Sequence, residues 1–452
     1  MVSTLSKKAV LLTLFLFLSF IICGATVRLV KASSQTIAVS PGQSIQEAIT
    51  NANAGDTILV NSGLYYEKVI VNKAISLIGV NSSTTFIDGG GGGNVLTIIY
   101  SNVLVKGFTI QNGGNLPMPG GGVQISGGST NVLVCDNVIK RSYYGIRLFD
   151  TYNNNISYNI IINNYAYGFY FSDSSNNRIV GNIIANHSSG VSIATETSKF
   201  NILYHNNFIN NTNIQIFAST FWDDGYPSGG NYWSDYTGVD EKSGPNQNEL
   251  GKDGIGDTPY PSIDQKWDRY PLIGPITMFN AGTWFEVTYY ISIISNSTVS
   301  HFNFNPDEAF IRFNVSGLDD ATGFSRVAIP KQFLWVVDEP WTVLVGDQQM
   351  VSTIIPNENY TYFYLTYNFA DSQSTKIVKI KGTYAVPELS VIKIFPLFIA
   401  FTLILVILTK RLQHNSSDCC RMKLKSSVTL ELDLNITSRF QASKEIKIDT
   451  GS

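Results

Sequence analysis

The sequence predicts an all-β chain in which a right-handed parallel β-helix precedes an antiparallel, Ig-like β-sandwich. Three observations support this prediction. Two landmarks recur at one period between residues 137 and 213. Within each period apolar and polar residues alternate, as in strands that are buried on one face. From residue 276 onward the alternation continues, but it has no fixed period.

The period is marked by asparagine and by glycine. The asparagines lie 22, 23 and 24 residues apart, and the second landmark recurs after 23, 22 and 23 residues. The two series are Asn137, Asn159, Asn182 and Asn206, and Gly145, Gly168, Gly190 and Asn213. A unit of this length is too short for two helices and is typical of one coil of a parallel β-helix. We therefore predict about eight coils over residues 36–220.

Isoleucine and asparagine have separate roles in the predicted coil. In the GIRLF segment, Ile146 and Leu148 should point inward and Arg147 outward. Asparagine should occupy the corners, because it tolerates the left-handed conformation and can bond to stacked copies of itself. At the start, Ser44 and Glu47 form a capping-box pattern before a short amphipathic helix that would cover the open core.

The remainder of the chain divides into four parts. Residues 1–32 are typical of a secretory signal peptide, although their length also fits an N-terminal anchor. Residues 221–275, rich in aromatic and aspartate residues, should cap the β-helix and link it to the sandwich at 276–386. Residues 389–409 are long enough to cross a membrane and precede a basic pair, so residues 410–452 should form a cytoplasmic, disordered tail. These features predict a single-pass cell-surface protein.

Several segments resemble the NosD family, also called carbohydrate-binding and sugar-hydrolysis (CASH) repeats. They are SIQEAITNANAGDTILVNSGLYYEKVIVNKAISLIGV, the TTFIDG after it, and the N-x-I-x-x-N coils. The resemblance implies a pectin-lyase-like right-handed β-helix. The FWDDGYPSGGNYWSDYTG block and the apolar AVPELSVIKIFPLFIAFTLILVILTKR segment resemble parts of archaeal-type surface members. Because the family includes a periplasmic copper-binding protein, the resemblance also implies a role in copper-site maturation as one alternative.

Copper is disfavoured by the residues themselves. A copper site needs clustered His, Met or Cys ligands. Between the two apolar ends the histidines are His187, His205 and His301, and the first two occupy different phases of the repeat.

Two carboxylates and one arginine suggest a catalytic alternative. Asp150 and Asp173 share a phase of the repeat, and Arg147 begins an outward column nearby. On one wall these side chains could hold calcium and take up a proton, as a calcium-dependent polysaccharide lyase or hydrolase requires. The alternative is that aspartate ends these strands because it is a good turn residue.

Exposed aromatic residues favour binding without catalysis. Tyr170, Phe149 and Phe217 should face outward, where flat rings suit sugar stacking as well as ordinary packing.

A calcium site is a further possibility in the linker block. Its ligands would be Asp240, Asn248, Asp253 and Asp257, although their spacing is not that of an EF-hand. A solvated loop is the alternative.

The leading interpretation is a surface-anchored β-helix protein that binds or displays, without catalysis. Its partners would be glycans or cell-envelope proteins. Nucleic acid is excluded as a partner class, because the net charge is −3 and only 14% of residues are charged.

Overall fold

The computed structural model describes residues 34–117, 120–261, 268–284, 287–369 and 374–386. The predicted signal peptide (1–32), transmembrane segment (389–409) and tail (410–452) lie outside these ranges. Within them, no helix is both long and apolar enough to cross a membrane.

Residues 36–233 form a parallel β-helix with one short helix after its first strand. The helix α1 spans Ile45–Asn51. The strands are β1 (Thr36–Val39), β2 (Thr57–Val60), β3 (Gly63–Tyr66), β4 (Val69–Val71), β5 (Ser76–Gly79), β6 (Thr85–Asp88), β7 (Leu96–Ile98), β8 (Leu104–Lys106), β9 (Thr109–Gln111), β10 (Gly121–Ser126), β11 (Leu133–Cys135), β12 (Val138–Lys140), β13 (Tyr144–Tyr152), β14 (Asn155–Ser157), β15 (Ile160–Ile162), β16 (Tyr167–Ser175), β17 (Arg178–Val180), β18 (Ile183–Ala185), β19 (Ser189–Ile193), β20 (Asn201–Tyr204), β21 (Asn207–Ile209), β22 (Asn213–Ile216), β23 (Thr220–Phe221) and β24 (Tyr232–Trp233).

Every third strand pairs in parallel with its equivalent one coil away, which produces three walls. The first wall has the order β1-β2-β5-β8-β11-β14-β17-β20-β23, the second β24-β21-β18-β15-β12-β9-β6-β3, and the third β22-β19-β16-β13-β10-β7-β4. The parallel β-helix is thus confirmed. The nine strands of the first wall indicate about nine coils rather than the predicted eight.

The predicted interior and N-terminal cap are both confirmed. Ile146 and Leu148 are fully buried in a core that continues through the coils. At the start, the Ser44 hydroxyl accepts the backbone N–H of Glu47 at 3.1 Å, as a helix N-cap does. Helix α1 buries three apolar side chains against this core, so it covers the open end.

The predicted role of the recurring asparagines needs one correction. They are buried and form a ladder, in which each side-chain amide donates to the carbonyl oxygen of the next at 3.0–3.1 Å. The left-handed conformation belongs instead to the residue before each asparagine, for example Asp136 (φ 55), Tyr158 (φ 59) and His205 (φ 54). The corner therefore uses two adjacent residues, one to turn the chain and one to bond with the neighbouring coils.

The ladder ends on a buried carboxylate. Asp268 Oδ2 accepts the backbone N–H of Asn231 at 2.7 Å and the indole N–H of Trp233 at 2.9 Å. Burial raises the pKa of Asp268 to about 7. This residue supplies the acceptor that a further coil would otherwise provide.

The C-terminal part contains antiparallel sheets. After the hairpin β25 (Lys242–Ser243) and β26 (Glu249–Leu250), its strands are β27 (Ile276–Trp284), β28 (Val287–Ser295), β29 (Thr298–Asn305), β30 (Phe310–Ser316), β31 (Thr322–Pro330), β32 (Leu334–Trp335), β33 (Thr342–Val345), β34 (Gln348–Gln349), β35 (Thr353–Pro356), β36 (Tyr360–Asn368), β37 (Thr375–Lys381) and β38 (Tyr384–Ala385). Two five-stranded sheets, β27-β28-β31-β36-β35 and β29-β30-β37-β33-β34, enclose one apolar core. This confirms two layers, but the strand order is not the ABED and CFG order of an immunoglobulin domain.

A side chain of the last coils joins the sandwich directly. The amide of Asn207 donates to the carbonyl of Ile276 and accepts the N–H of the same residue, both at 2.8 Å. The pair imitates a strand pairing, and it fixes the start of β27 against the β-helix.

Candidate ligand-binding surfaces

The outward column predicted from the repeat is present on the third wall. Arg147 pairs in register with Gln124 on one side and Tyr170 on the other, and the column continues through Ser192 and Gln215. Because strand residues alternate in direction, this column lies on the outer face.

Arg147 forms the floor of this surface and is not free to move. It is only 8% exposed, and its guanidinium donates to Gln124 Oε1 at 3.1 Å. The guanidinium carbon lies 4.9 Å from the ring centroid of Phe149 and 5.7 Å from that of Tyr144. These cation–π contacts place a fixed positive charge beneath aromatic rings.

Four tyrosines around Arg147 form what we call the tyrosine patch, namely Tyr143, Tyr144, Tyr167 and Tyr170. The Tyr144 ring lies 5.5 Å from Tyr167 and 4.9 Å from Tyr170. Burial raises the pKa of Tyr144 to about 12, so its hydroxyl stays protonated near neutral pH. The patch combines flat apolar faces with hydroxyl groups, a combination that suits sugars.

The three predicted stacking residues do not all meet. Tyr170 and Phe149 flank Arg147, and Phe149 is 39% exposed. Phe217 is 64% exposed but follows β22, three coils further along the same column as Phe149. It therefore lies apart from the tyrosine patch.

Asp150 and Asp173 occupy equivalent positions in adjacent coils, as predicted. Both have left-handed backbones, with φ of 49° and 51°. The Asp173 carboxylate accepts the hydroxyls of Thr197 at 2.6 Å and Ser172 at 3.1 Å. Among the described residues neither carboxylate bonds to Arg147. This geometry favours the turn interpretation over a convergent catalytic site.

The predicted calcium ligands lie in one loop, where the three carboxylates accept backbone N–H groups. Asp240 accepts the N–H groups of Asp253 and Gly254, both at 3.0 Å. Asp257 accepts the N–H of Glu241 at 3.1 Å, while Asn248 is exposed. These carboxylates therefore help to hold the loop through its own backbone amides.

A cation of the protein itself lies near this loop. Arg326, fully buried on β31, donates to the carbonyl of Pro227 and lies 4.4 Å from the Tyr362 ring centroid. Burial raises the pKa of Asp253, and the Arg326 guanidinium partly offsets the rise. This role is not visible in the sequence, because Arg326 follows Asp253 by 73 residues and looks like any strand residue.

The three histidines are not grouped together in the described part of the chain. His187 lies between Asn164 and Asn211 in a second polar ladder, and His205 Nε2 contacts the carbonyl of Ser228 at 3.0 Å. His301 is exposed on β29. In the part of the chain that the structure describes, no three His, Cys, Asp or Glu side chains are grouped as a metal site requires.

One cavity was not anticipated at all. It has a volume of about 280 Å³ and lies between the first wall and the sandwich, next to Arg178. Arg178 is an outward residue of β17, so the repeat predicts that its side chain faces away from the core. The residues opposite it could not be identified, because the sandwich has no repeat.

The three parallel walls define the first half of the chain as a β-helix. Residues 49–238 match the family model described as "Periplasmic copper-binding protein (NosD)". This match confirms the NosD-like character predicted for the β-helix. No curated protein matches the chain significantly.

Solved structures similar to this chain include two polysaccharide-modifying enzymes. An alginate lyase from Paenibacillus sp. str. FPU-7 is 18% identical, with a TM-score of 0.31, over 44% of this chain and 76% of that one. A pectin methylesterase from carrot is 15% identical, with a TM-score of 0.26, over 39% of this chain and 63% of that one, less than two thirds of its length. The fold assignment rests on the strand register rather than on these similarities.

Proposed function

We propose that this chain is an exported surface protein that binds carbohydrate on the third wall of its β-helix and does not cleave it. The observation that supports this is the tyrosine patch over Arg147. Its rings offer apolar faces to a sugar, and its hydroxyls can donate and accept hydrogen bonds. The exposed Phe149 extends the surface along the same wall.

The environment of Arg147 argues against turnover. A base for a lyase must reach the proton that it removes, whereas Arg147 is held by Gln124 beneath two rings. Asp150 and Asp173 would have to supply the remaining chemistry, but both stand at strand ends with left-handed backbones.

A glycan array probed with the full-length chain tests the proposal, with and without EDTA. We expect binding to one glycan class that EDTA leaves unchanged, and no release of shortened product after incubation. Tyr170→Ala should weaken that binding about tenfold, because it removes one of the four rings. The matched control is Tyr66→Ala, which removes a tyrosine that is 74% exposed on β3. Product release, or equal loss in both variants, would contradict the proposal.

A further inference from the structure

The cavity beside Arg178 is lined from two sides. The first wall contributes the side chains of β17 and β20 and the corner residue Tyr158. The sandwich contributes Tyr289 and Tyr290 on β28 and Tyr360 at the start of β36. The cavity is near the lower end of the range of about 300–1,000 Å³ that is usual for small-molecule sites. Its volume suits a single ring rather than an extended chain.

Aromatic rings form one side of the cavity. Tyr158 and Tyr290 stack across the junction with centroids 5.0 Å apart and planes at 20°. The Tyr158 ring is accommodated by Gly181, where a Cβ atom would lie 2.6 Å from the ring. The equivalent corner is also glycine at Gly107, whereas it carries a side chain at Asp136 and His205. Glycine at position 181 leaves the space that the ring fills.

The polar groups of the cavity are only partly used by the protein. The guanidinium of Arg178 donates to the Tyr204 hydroxyl and lies 5.0 Å from that ring centroid, which leaves most of its five donors available. Within the described residues, the carboxylate of Asp224 and the hydroxyls of Tyr289 and Tyr360 form no hydrogen bond. Arg178, Asp224 and Tyr360 are exposed and line the cavity, so their polar atoms are accessible to a ligand there.

The charges of the cavity balance. Arg178 and Asp224 carry opposite charges, and His205 is neutral because burial lowers its pKa to about 4. Burial raises the pKa of Tyr158 to about 12, so its hydroxyl is also uncharged. An anionic or cationic ligand would meet no net complementary charge here, whereas a neutral polyhydroxy ring would meet a donor, an acceptor and aromatic faces.

We infer that this cleft between the first wall and the sandwich binds one ring of a neutral carbohydrate, separately from the tyrosine patch. Arg178 donates to ring hydroxyls, Asp224 accepts from them, and the tyrosine rings cover the apolar face of the sugar. The inference goes beyond the proposed function, because the cleft can bind whether or not the third wall does.

Saturation-transfer NMR on the full-length chain tests the cleft with free glucose, galactose, mannose, N-acetylglucosamine and glucuronate. We expect at least one neutral sugar to receive saturation and glucuronate to receive much less. Arg178→Gln, which removes the guanidinium, and Asp224→Asn, which keeps the size of the side chain, should each weaken binding of that sugar about tenfold. Tyr360→Phe removes one hydroxyl and should weaken it severalfold. Unfolding midpoints of the variants, compared with that of the natural chain, exclude simple misfolding.

Tyr170→Ala, on the third wall, is the control that separates the two surfaces. Sugar binding that survives in this variant and falls in the cleft variants supports the inference. Loss in Tyr170→Ala alone would overturn it and leave the proposed function standing. Preferential binding of glucuronate, or no saturation of any neutral sugar, would also overturn it, whatever the glycan array shows.

Discussion

The β-helix and the β-sandwich solve the burial of polar groups in opposite ways. The β-helix buries side-chain amides, and each amide bonds to the one in the next coil. Asn182, for example, accepts a hydrogen bond from the Asn159 amide and donates one to the Asn206 carbonyl oxygen. The sandwich encloses an apolar core, to which strands of both sheets contribute Ile293, Phe313 and other apolar residues. Repeated polar contacts leave a period in the sequence, whereas apolar packing does not. This difference explains why the coils of the β-helix can be predicted one by one from the sequence, whereas the sandwich can be predicted only as a series of alternating strands.

Arg326 is the exception within the sandwich. It is a fully buried charge on β31, and it reaches the linker block rather than another strand. Its side chain lies so close to Gly254 that a Cβ atom there would come within 2.5 Å of it. The junction is therefore held by a charged group on one side and by the Asn207–Ile276 pair on the other.

The largest effect is expected from Arg326→Met. The variant keeps part of the apolar stem but removes the charge that acts on the buried Asp253, and removing one partner of a buried charge pair costs about 3–5 kcal/mol. We expect the free energy of unfolding to fall by about that amount. Denaturant unfolding followed by circular dichroism measures it.

The control is Arg312→Met, which changes an exposed arginine on β30 of the same sandwich. Its effect should stay within about 0.5 kcal/mol. Equal losses in both variants would mean that the charge of Arg326 is unimportant and that the junction depends on apolar contacts alone.

The sequence predicts much of the β-helix because each coil repeats the same pattern of buried and exposed residues. The outward position of Arg147 and the shared phase of Asp150 and Asp173 followed directly from the period. The separate roles of neighbouring corner residues did not, because asparagine serves both as the turning residue, as at Asn163, and as the bonding residue next to it, at Asn164. Composition cannot distinguish these roles.

The candidate sites were harder to predict, since they depend on distant partners. Asp240 and Asp253 looked like metal ligands, because nothing nearby in the chain indicated that backbone amides and Arg326 would meet them. The same holds for Arg178. The repeat predicts its outward direction, but nothing in the sequence predicts which tyrosines of the sandwich face it. In both the loop and the cavity, the partners of these side chains come from distant parts of the sequence, so the local sequence does not indicate them.

A smaller effect is expected from Asn182→Ala, in the middle of the ladder. The substitution leaves the backbone N–H of Asn159 without an acceptor in a fully buried position, which costs about 1–3 kcal/mol. We expect a loss of about 2 kcal/mol, seen as a lower denaturant midpoint. Asn248→Ala is the matched control, since Asn248 is exposed. An equal result for the two variants would show that the ladder adds no stability.

The smallest effect concerns His187, which stands where the second ladder otherwise has asparagine. It contacts Asn164 Nδ2 at 3.2 Å through Nε2 and Asn211 Oδ1 at 3.0 Å through Nδ1. Burial lowers its pKa from 6.5 to about 4. The unfolded chain then binds more protons between these values, so the stability due to neutral His187 is complete above pH 6.5 and is lost as the pH falls towards 4.

His187→Asn should remove this sensitivity to acid, because an amide can take both contacts without titrating. Between pH 7 and 5.5 the natural chain should lose about 1 kcal/mol more than the variant. Thermal unfolding of both chains across this pH range measures the difference in stability. The contribution of His205 is the same in both chains and does not affect that difference. Parallel stability curves would mean that His187 is protonated without cost, and that this ladder, unlike the all-asparagine one, is open to solvent.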